Sequence, residues 1–407
     1  MIAALRGMKD IIEDAPKFLL ILAACERAAK RAGFAFIETP HLEETALFRR
    51  SVGESSDIVG KEMYEFTDKS GDSVCLRPEG TAGAARAFVE KKFDRAGEKR
   101  KFYYDGAMFR HERPQKGRLR SFHQFGVESF GEKSVYEDAN LILLAARIFD
   151  DLGIKHELKI NSLGCEKCMA DYREKLVKFL GGASGEICDD CLRRKDVNPI
   201  RALDCKNESC QKIYENAPLI TDNLCEECDL DFAKLREILI ANNMKFIIDK
   251  KLVRGLDYYN KTAFEFVSSE IGSQSAIAGG GRYDKLIETL GGKATFAVGF
   301  AIGIERIYDL VKTPEVDRDG IYIGALDSLA VSDIFAIANK LLDRQKVMIE
   351  YEPKKLATHL KNADKLNAKI CAIIGEEERV KNEIWIKDLA EKTEYKKSVK
   401  EWLENVN

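Results

Sequence analysis

The sequence predicts an α+β body built around an antiparallel sheet, followed by a small open α/β domain. Two patterns carry this reading. As far as residue 313, short strands come in hairpin-like pairs with helices interspersed; after a charged linker at 313–320, strands and helices alternate. Length agrees, because 407 residues exceed what one ordinary core accommodates. The chain accordingly divides into 1–313, with a cysteine-rich insertion at 164–245 inside it, and 318–407.

Leu20, Ala24 and Ala28 recur at helical spacing, with Leu19, Ala23 and Cys25 beside them, and predict a helix over 17–32 that Gly33 ends. Phe34-Ala35-Phe36-Ile37 follows as a short strand that stops before Pro40. Lys101-Phe102-Tyr103-Tyr104 reads as a strand continued by Ala107-Met108-Phe109-Arg110. A basic loop then leads to the alternating Phe122-His123-Gln124-Phe125-Gly126-Val127-Glu128, so the pair forms an antiparallel hairpin. Residues 135–152 predict a helix and 156–160 a strand. Beyond the insertion come a helix near 229–243, a strand at 245–249, and a strand pair at 263–267 and 275–278. Gly279-Gly280-Gly281 is read as a turn before a helix, and a strand at 296–300 as running into a helix near Gly303. In the last domain, strands are expected at 321–325, 347–349, 370–374 and 384–386, with helices at 329–344, 354–366 and 394–405.

The composition is 45% hydrophobic and 33% charged with a net charge of −3, so nucleic-acid binding has to come from a local patch. One lies between Arg95 and Arg120, with nine Lys or Arg against three acids. In 318–407, by contrast, 16 basic residues cancel 16 acidic ones, which suits a domain that reads shape. No apolar run approaches the ~20 residues of a membrane span, and Met1 to Asp10 lacks a signal-peptide layout; no membrane association and a cytoplasmic address are expected.

Three segments carry chemistry. In Phe109-Arg110-His111-Glu112-Arg113-Pro114-Gln115-Lys116-Gly117-Arg118-Leu119-Arg120, a strand-fixed Arg offers phosphate a planar fork. A carboxylate two residues on can accept from an adenine amino group, and a basic loop can cover a triphosphate. Arg254-Gly255-Leu256-Asp257-Tyr258-Tyr259 sets a cation, a turn and two phenols in six residues. Gly299-Phe300-Ala301-Ile302-Gly303-Ile304-Glu305-Arg306-Ile307 leads an apolar strand into a helix that offers Glu305 and Arg306. The plainer readings are a surface hairpin, a strand entry with core tyrosines and an ordinary strand–helix junction. Order and spacing set them aside.

Together these segments resemble the three signature motifs of class II aminoacyl-tRNA synthetases, with motif 1 in the N-terminal helix and the strand to Pro40. The histidyl family is matched more closely, through Leu5-Arg6-Gly7-Met8-Lys9-Asp10, Arg77-Pro78-Glu79-Gly80-Thr81, Arg110-His111-Glu112-Arg113-Pro114-Gln115, the 254–259 block and Gly280-Gly281-Arg282-Tyr283-Asp284. The resemblance covers essentially the whole chain. It implies a class II antiparallel catalytic sheet with an α/β anticodon-binding domain, and activation of L-histidine by ATP followed by transfer to the 3′ end of tRNA(His).

By the same resemblance Arg110 and Arg254 are catalytic. Arg110, Glu112, Arg118 and Arg306 would bind ATP, with Mg2+ on its outer phosphates. Glu79, Gly80, Thr81, Gln124, Glu128, Tyr258 and Tyr259, with both catalytic arginines, would bind histidine. Arg113 and Gln115 would touch the tRNA acceptor end, and motif 1 would build a homodimer. Two alternatives are another class II ligase, for threonine or proline, and the paralogous regulatory subunit of ATP phosphoribosyltransferase. The intact 254–259 block argues against both, and the final domain against the second.

Eight of the 11 cysteines fall in the insertion, as Cys165/Cys168, Cys188/Cys191, Cys205/Cys210 and Cys225/Cys228. Four such pairs can fill two tetrahedral zinc sites, the outer pairs at the insertion's neck and the inner pairs at its tip. Reduced cysteines in a helical insertion are the alternative.

Overall fold

The computed structural model describes residues 2–53, 56–205, 207–271, 276–314 and 317–406. Met1, Ser275 and residues 315–316, on which parts of the sequence reading fell, lie outside these. Two compact units are present, Met1–Thr313 and Pro314–Asn407.

The first unit contains strands β1 (Ala35–Phe36), β2 (Leu42–Glu44), β3 (Tyr64–Thr67), β4 (Ser73–Leu76), β5 (Arg100–Phe109), β6 (Ser121–Phe130), β7 (Glu157–Ser162), β8 (Ile247–Ile248), β9 (Asn260–Val267), β10 (Ala276–Arg282) and β11 (Ala297–Gly303). Eight of them form one sheet in the order β1-β5-β6-β11-β10-β9-β7-β8. It is antiparallel throughout its centre, and only the short edge strands β1 and β8 pair in parallel. β5 is one continuous strand, paired with β6 from Arg100↔Phe130 to Phe109↔Ser121.

Strand periodicity decides which residues face the site. Along β6, Phe125 and Val127 join a large apolar cluster with the helices Ala15–Arg31 and Val135–Asp151. Gln124, Gly126, Glu128 and Phe130 therefore point to the opposite face. There Phe130 packs in a second cluster with Phe48, Phe88 and Tyr283. β2, β3 and β4, which the sequence reading did not anticipate, make a separate antiparallel sheet in the order β2-β4-β3.

The glycine triplet does not turn the chain. Gly279, Gly280 and Gly281 lie inside β10 and pair with β9 and β11 on either side. Close approach explains them. A Cβ on Gly279 would stand 2.0 Å from Nη2 of Arg254, and one on Gly280 would stand 2.2 Å from the Gly299 carbonyl oxygen. The helix that follows is a single turn, Leu286–Thr289.

The insertion has its own small apolar cluster around Tyr172, Leu176, Leu180 and Tyr214, to which Cys168, Cys191, Cys205, Cys210 and Cys228 belong. Beyond it, the helix Glu226–Ala241 carries Phe232, Leu235, Ile238 and Leu239 back into the large cluster of the main body.

The second unit is a five-stranded sheet of β12 (Ile321–Ala325), β13 (Val347–Glu350), β14 (Ile370–Ile374), β15 (Glu383–Asp388) and β16 (Glu394–Ser398), ordered β13-β12-β14-β15-β16. The first three are parallel, and β15 and β16 are antiparallel additions. Residues 394–398, read from sequence as the start of a helix, are thus an edge strand. The helix is Val399–Asn405, and it begins where the Ser398 hydroxyl accepts from the Glu401 N–H at 3.2 Å. Among the described residues no helix is long and apolar enough to cross a membrane.

Candidate active site

A cleft opens on the face of the main sheet that carries Gln124. Glu79, Thr81, Arg110, Glu112, Arg118, Gln124, Arg254, Tyr258, Tyr259 and Arg306 all line it, so segments far apart in sequence meet around one space.

At one end, the Glu79 carboxylate accepts from the Thr81 and Ala82 N–H groups, each at 2.8 Å, and so caps the helix Thr81–Glu90. Burial pushes this carboxyl up from its ordinary value, against those two N–H bonds that pull it down. The Gly80 N–H donates to Oε1 of Gln124 at 3.2 Å, which pins that amide toward the cleft.

Glu128 is fully buried and stands behind the wall rather than in it. It accepts from the hydroxyls of Thr81 (2.7 Å), Tyr104 (3.1 Å) and Tyr283. Burial pushes it up to about 8, although the Tyr283, Thr81 and Tyr104 hydroxyls pull the other way. Gly299 makes room for it, since a Cβ there would lie 1.9 Å from Oε2 of Glu128.

Four guanidinium groups border the same space. Nε of Arg110 donates to the Pro78 carbonyl at 2.9 Å, and its plane lies 5.2 Å from the Phe122 ring centroid. Arg254 pairs with Glu265 at 2.8 Å and sits 5.7 Å from the Tyr259 ring centroid. Arg118 pairs with Glu112 at 3.0 Å. Arg306 donates to the Ala276 carbonyl at 2.8 Å and has no carboxylate in salt-bridge range among the described residues. Burial, then repulsion from Arg118 and Arg110, lowers Arg306 to about 10. Four carboxylates (Glu79, Glu112, Glu265 and Glu305) line the cleft beside these four cations, and Arg306, the one without a carboxylate partner among the described residues, leaves a fixed, desolvated guanidinium that suits a phosphate group.

Arg113 and Gln115 are exposed on the hairpin loop, outside this cleft; Gln115 borders an adjoining one with Lys9, Lys116 and Tyr308. Four residues of the site escaped the sequence reading's assignment of roles. Tyr104 and Tyr283 grip Glu128, Glu265 anchors Arg254, and Glu305 accepts from the His123 N–H at 2.9 Å. Tyr283 stood within a quoted motif, and Glu265 is a lone carboxylate between two phenylalanines of a strand. Both signals were visible in the sequence.

The eight insertion cysteines gather into two quartets, Cys165/Cys168/Cys225/Cys228 and Cys188/Cys191/Cys205/Cys210, with the four sulfurs of each within 4.8 Å of one another. Zn–S bonds of about 2.3 Å place tetrahedral sulfurs roughly 3.8 Å apart. The Sγ separations are 3.7 Å for Cys165–Cys168, 3.8 Å for Cys165–Cys225 and 3.7 Å for Cys188–Cys205. These are far beyond a disulfide bond. Cys165, Cys188 and Cys225 occupy the N-cap positions of three helices, and, against the effect of burial, hydrogen bonds lower the Cys165 and Cys188 thiols from their ordinary value.

A family model described as histidyl-tRNA synthetase matches residues 12–307, and one described as anticodon binding domain matches 326–407. The chain is 61% identical over 395 residues to a histidine–tRNA ligase of Campylobacter concisus, covering 97% of each chain. It is 58% identical over 409 residues to that of Campylobacter hominis, covering 100% of each. Among solved structures, apo histidyl-tRNA synthetase of S. aureus superposes with a TM-score of 0.83 at 31% identity, covering 99% of each chain. A Bacillus halodurans ATP phosphoribosyltransferase regulatory subunit/histidyl-tRNA synthetase shares the fold at 20% identity, with a TM-score of 0.65 over 92% of this chain and 98% of its own.

Proposed function

The chain belongs to the histidyl-tRNA synthetase family, and we propose that its cleft joins histidine to tRNA(His) by holding one phosphorus atom between Arg110 and Arg254. The activity is an ATP-dependent histidine–tRNA ligation. The observation that carries the assignment of roles is that these two arginines, from distant parts of the chain, line one cleft.

In the first step a histidine carboxylate oxygen attacks the α-phosphorus of ATP. The bond to the bridging oxygen breaks, and pyrophosphate leaves. Arg110, oriented by Pro78, holds the α-phosphate and the carboxylate; Arg254, oriented by Glu265, meets the charge that develops between them. Arg118 takes the terminal phosphates, Arg306 stacks on adenine, and Glu112 accepts from its amino group. Mg2+ on the outer phosphates would supply charge neutralisation there; because Glu112 and Glu265 are paired with Arg118 and Arg254, this chain would hold it chiefly through the bound triphosphate. In the second step the terminal tRNA hydroxyl attacks the activated carbonyl, and AMP leaves.

Glu79, Gly80, Thr81 and Gln124 hold the histidine α-amino end. Tyr259, with Tyr258 beside it, and Glu128, acting with Thr81 and Tyr283 from behind the wall, serve the imidazole. Buried polar partners discriminate strongly, because an unmatched amino acid leaves them unpaired. Arg113 and Gln115 contact the acceptor end of the tRNA.

The thiolate quartets hold two structural zinc ions, a reading their sulfur spacing supports. A homodimer with a cytoplasmic location completes the proposal; exposed Leu19, Phe36, Leu42 and Phe66, on and near the motif 1 elements, support the dimer.

Exchange of labelled pyrophosphate into ATP, run with each amino acid in turn, tests the assignment. Histidine alone supports exchange. Exchange driven by threonine or proline, or by none, overturns it.

A further inference from the structure

The inner quartet is tied to the active site through one short segment. Cys191 and Cys205 bracket a segment made of the end of the helix Asp189–Val197 and the turn Pro199–Asp204, and that segment reaches out to the catalytic body. Nδ2 of Asn198 donates to Asp257 at 2.8 Å, and Nη1 of Arg201 donates to the Gly255 carbonyl at 2.9 Å. Both acceptors belong to the stretch that carries Arg254, Tyr258 and Tyr259. A second arm runs the other way. Arg194 pairs with Asp57 at 2.8 Å, next to the turn Ile58–Glu62, and the Glu62 carbonyl accepts from the N–H of His111 at 2.6 Å. His111 directly follows Arg110. One short segment, closed at both ends by cysteines, is therefore hydrogen-bonded toward the carriers of both catalytic arginines.

The fit is specific. Gly53 has φ +92°, and a Cβ there would lie 2.1 Å from Oδ2 of Asp257, so the 52–53 corner is shaped around that carboxylate. Residues 192–204 join the insertion's apolar cluster through Ala202 and Leu203, with Leu192 and Ile200 packed beside it, and five of that cluster's buried members are cysteines, so the sulfurs are part of what holds the segment in place.

We infer that the inner quartet is a positioning site: a tetrathiolate-bound zinc ion there fixes Asn198 and Arg201, and through them the histidine-binding 254–259 segment. The inference rests on the zinc reading proposed above. Asn198 and Arg201 act through the segment they hold and are positioning residues.

Two variants of the full chain separate the possibilities. Elemental analysis of the wild type should find two zinc ions, one for each quartet. The C191S/C205S variant loses one of them, and its KM for histidine in pyrophosphate exchange rises roughly ten-fold, the size expected from losing a charge-assisted hydrogen bond. Its KM for ATP moves far less. The N198A/R201Q variant keeps both zinc ions and shows the same selective rise for histidine. If C191S/C205S loses zinc yet keeps the wild-type KM for histidine, the positioning role is overturned. The same holds if N198A/R201Q keeps that KM, whether or not the cysteine variant folds. A wild type free of zinc overturns the metal reading itself, a result separate from the kinetic one.

Discussion

Glu128 shows how far one buried residue can be shifted by its surroundings. With its carboxyl pushed up to about 8, it carries a proton at neutral pH and can both donate to and accept from its hydroxyl partners. The linkage has a definite sign. The folded state holds this proton more tightly than the unfolded one, so the contribution to stability is complete below about 4.5, the ordinary value. It is lost as pH rises through about 8. Urea denaturation of wild type and Glu128→Gln should therefore diverge with pH, the wild type losing stability relative to the variant between these values. A difference independent of pH would remove the buried proton. Arg254 belongs to the same scale. Removing one fixed donor at a developing charge typically costs a factor of about 10²–10³ in kcat. Arg254→Gln should lose that much in pyrophosphate exchange while circular dichroism shows the fold retained; an unchanged kcat would move the catalytic cation elsewhere.

At the scale of the element, the glycine-rich strand β10 separates two uses of one residue type. Gly279→Ala places a methyl group against the Arg254 guanidinium, whose flexible end can move aside, so kcat should fall while the melting temperature stays near wild type. Gly280→Ala meets the backbone oxygen of Gly299 inside the sheet, so here stability should fall by about 1–3 kcal/mol, as overpacking typically costs. Paired thermal melts and kinetics on the two variants check the distinction. The same strand marks a limit of sequence reading. A triplet of glycines signals a turn just as well as a strand crowded by its neighbours, and only the positions of Arg254 and of the Gly299 and Thr262 carbonyls decide between them. The polar strand β16 was hidden for a related reason: an edge strand of Glu, Tyr and Lys has no apolar alternation, and its charges suit an exposed helix equally well. Where the two faces of an element differ in chemistry, as along β6, whose Phe125 and Val127 enter the apolar cluster while Gln124 and Glu128 turn to the site, the pattern in the sequence and the element agree.

For the whole molecule, the α+β class, the open α/β second unit and the family were all legible in the chain, because periodicity and contiguous motifs report on local neighbours. Tyr104 was harder, since its role comes from the Glu128 carboxylate, which folding alone brings close. The exposed apolar residues Leu19, Phe36, Leu42 and Phe66 need a cover, and light scattering after size exclusion should give twice the 45.9 kDa chain mass. A monomer at micromolar concentration would leave those residues without their proposed partner. Convergence of Arg110 and Arg254 on one phosphorus atom is decided by a crystal structure with histidinol and ATP. Both guanidinium groups should lie within ~3 Å of α-phosphate oxygens or of the adjoining histidinol hydroxyl. An α-phosphate bound by one arginine, with the other facing away from the reacting atoms, would rule it out.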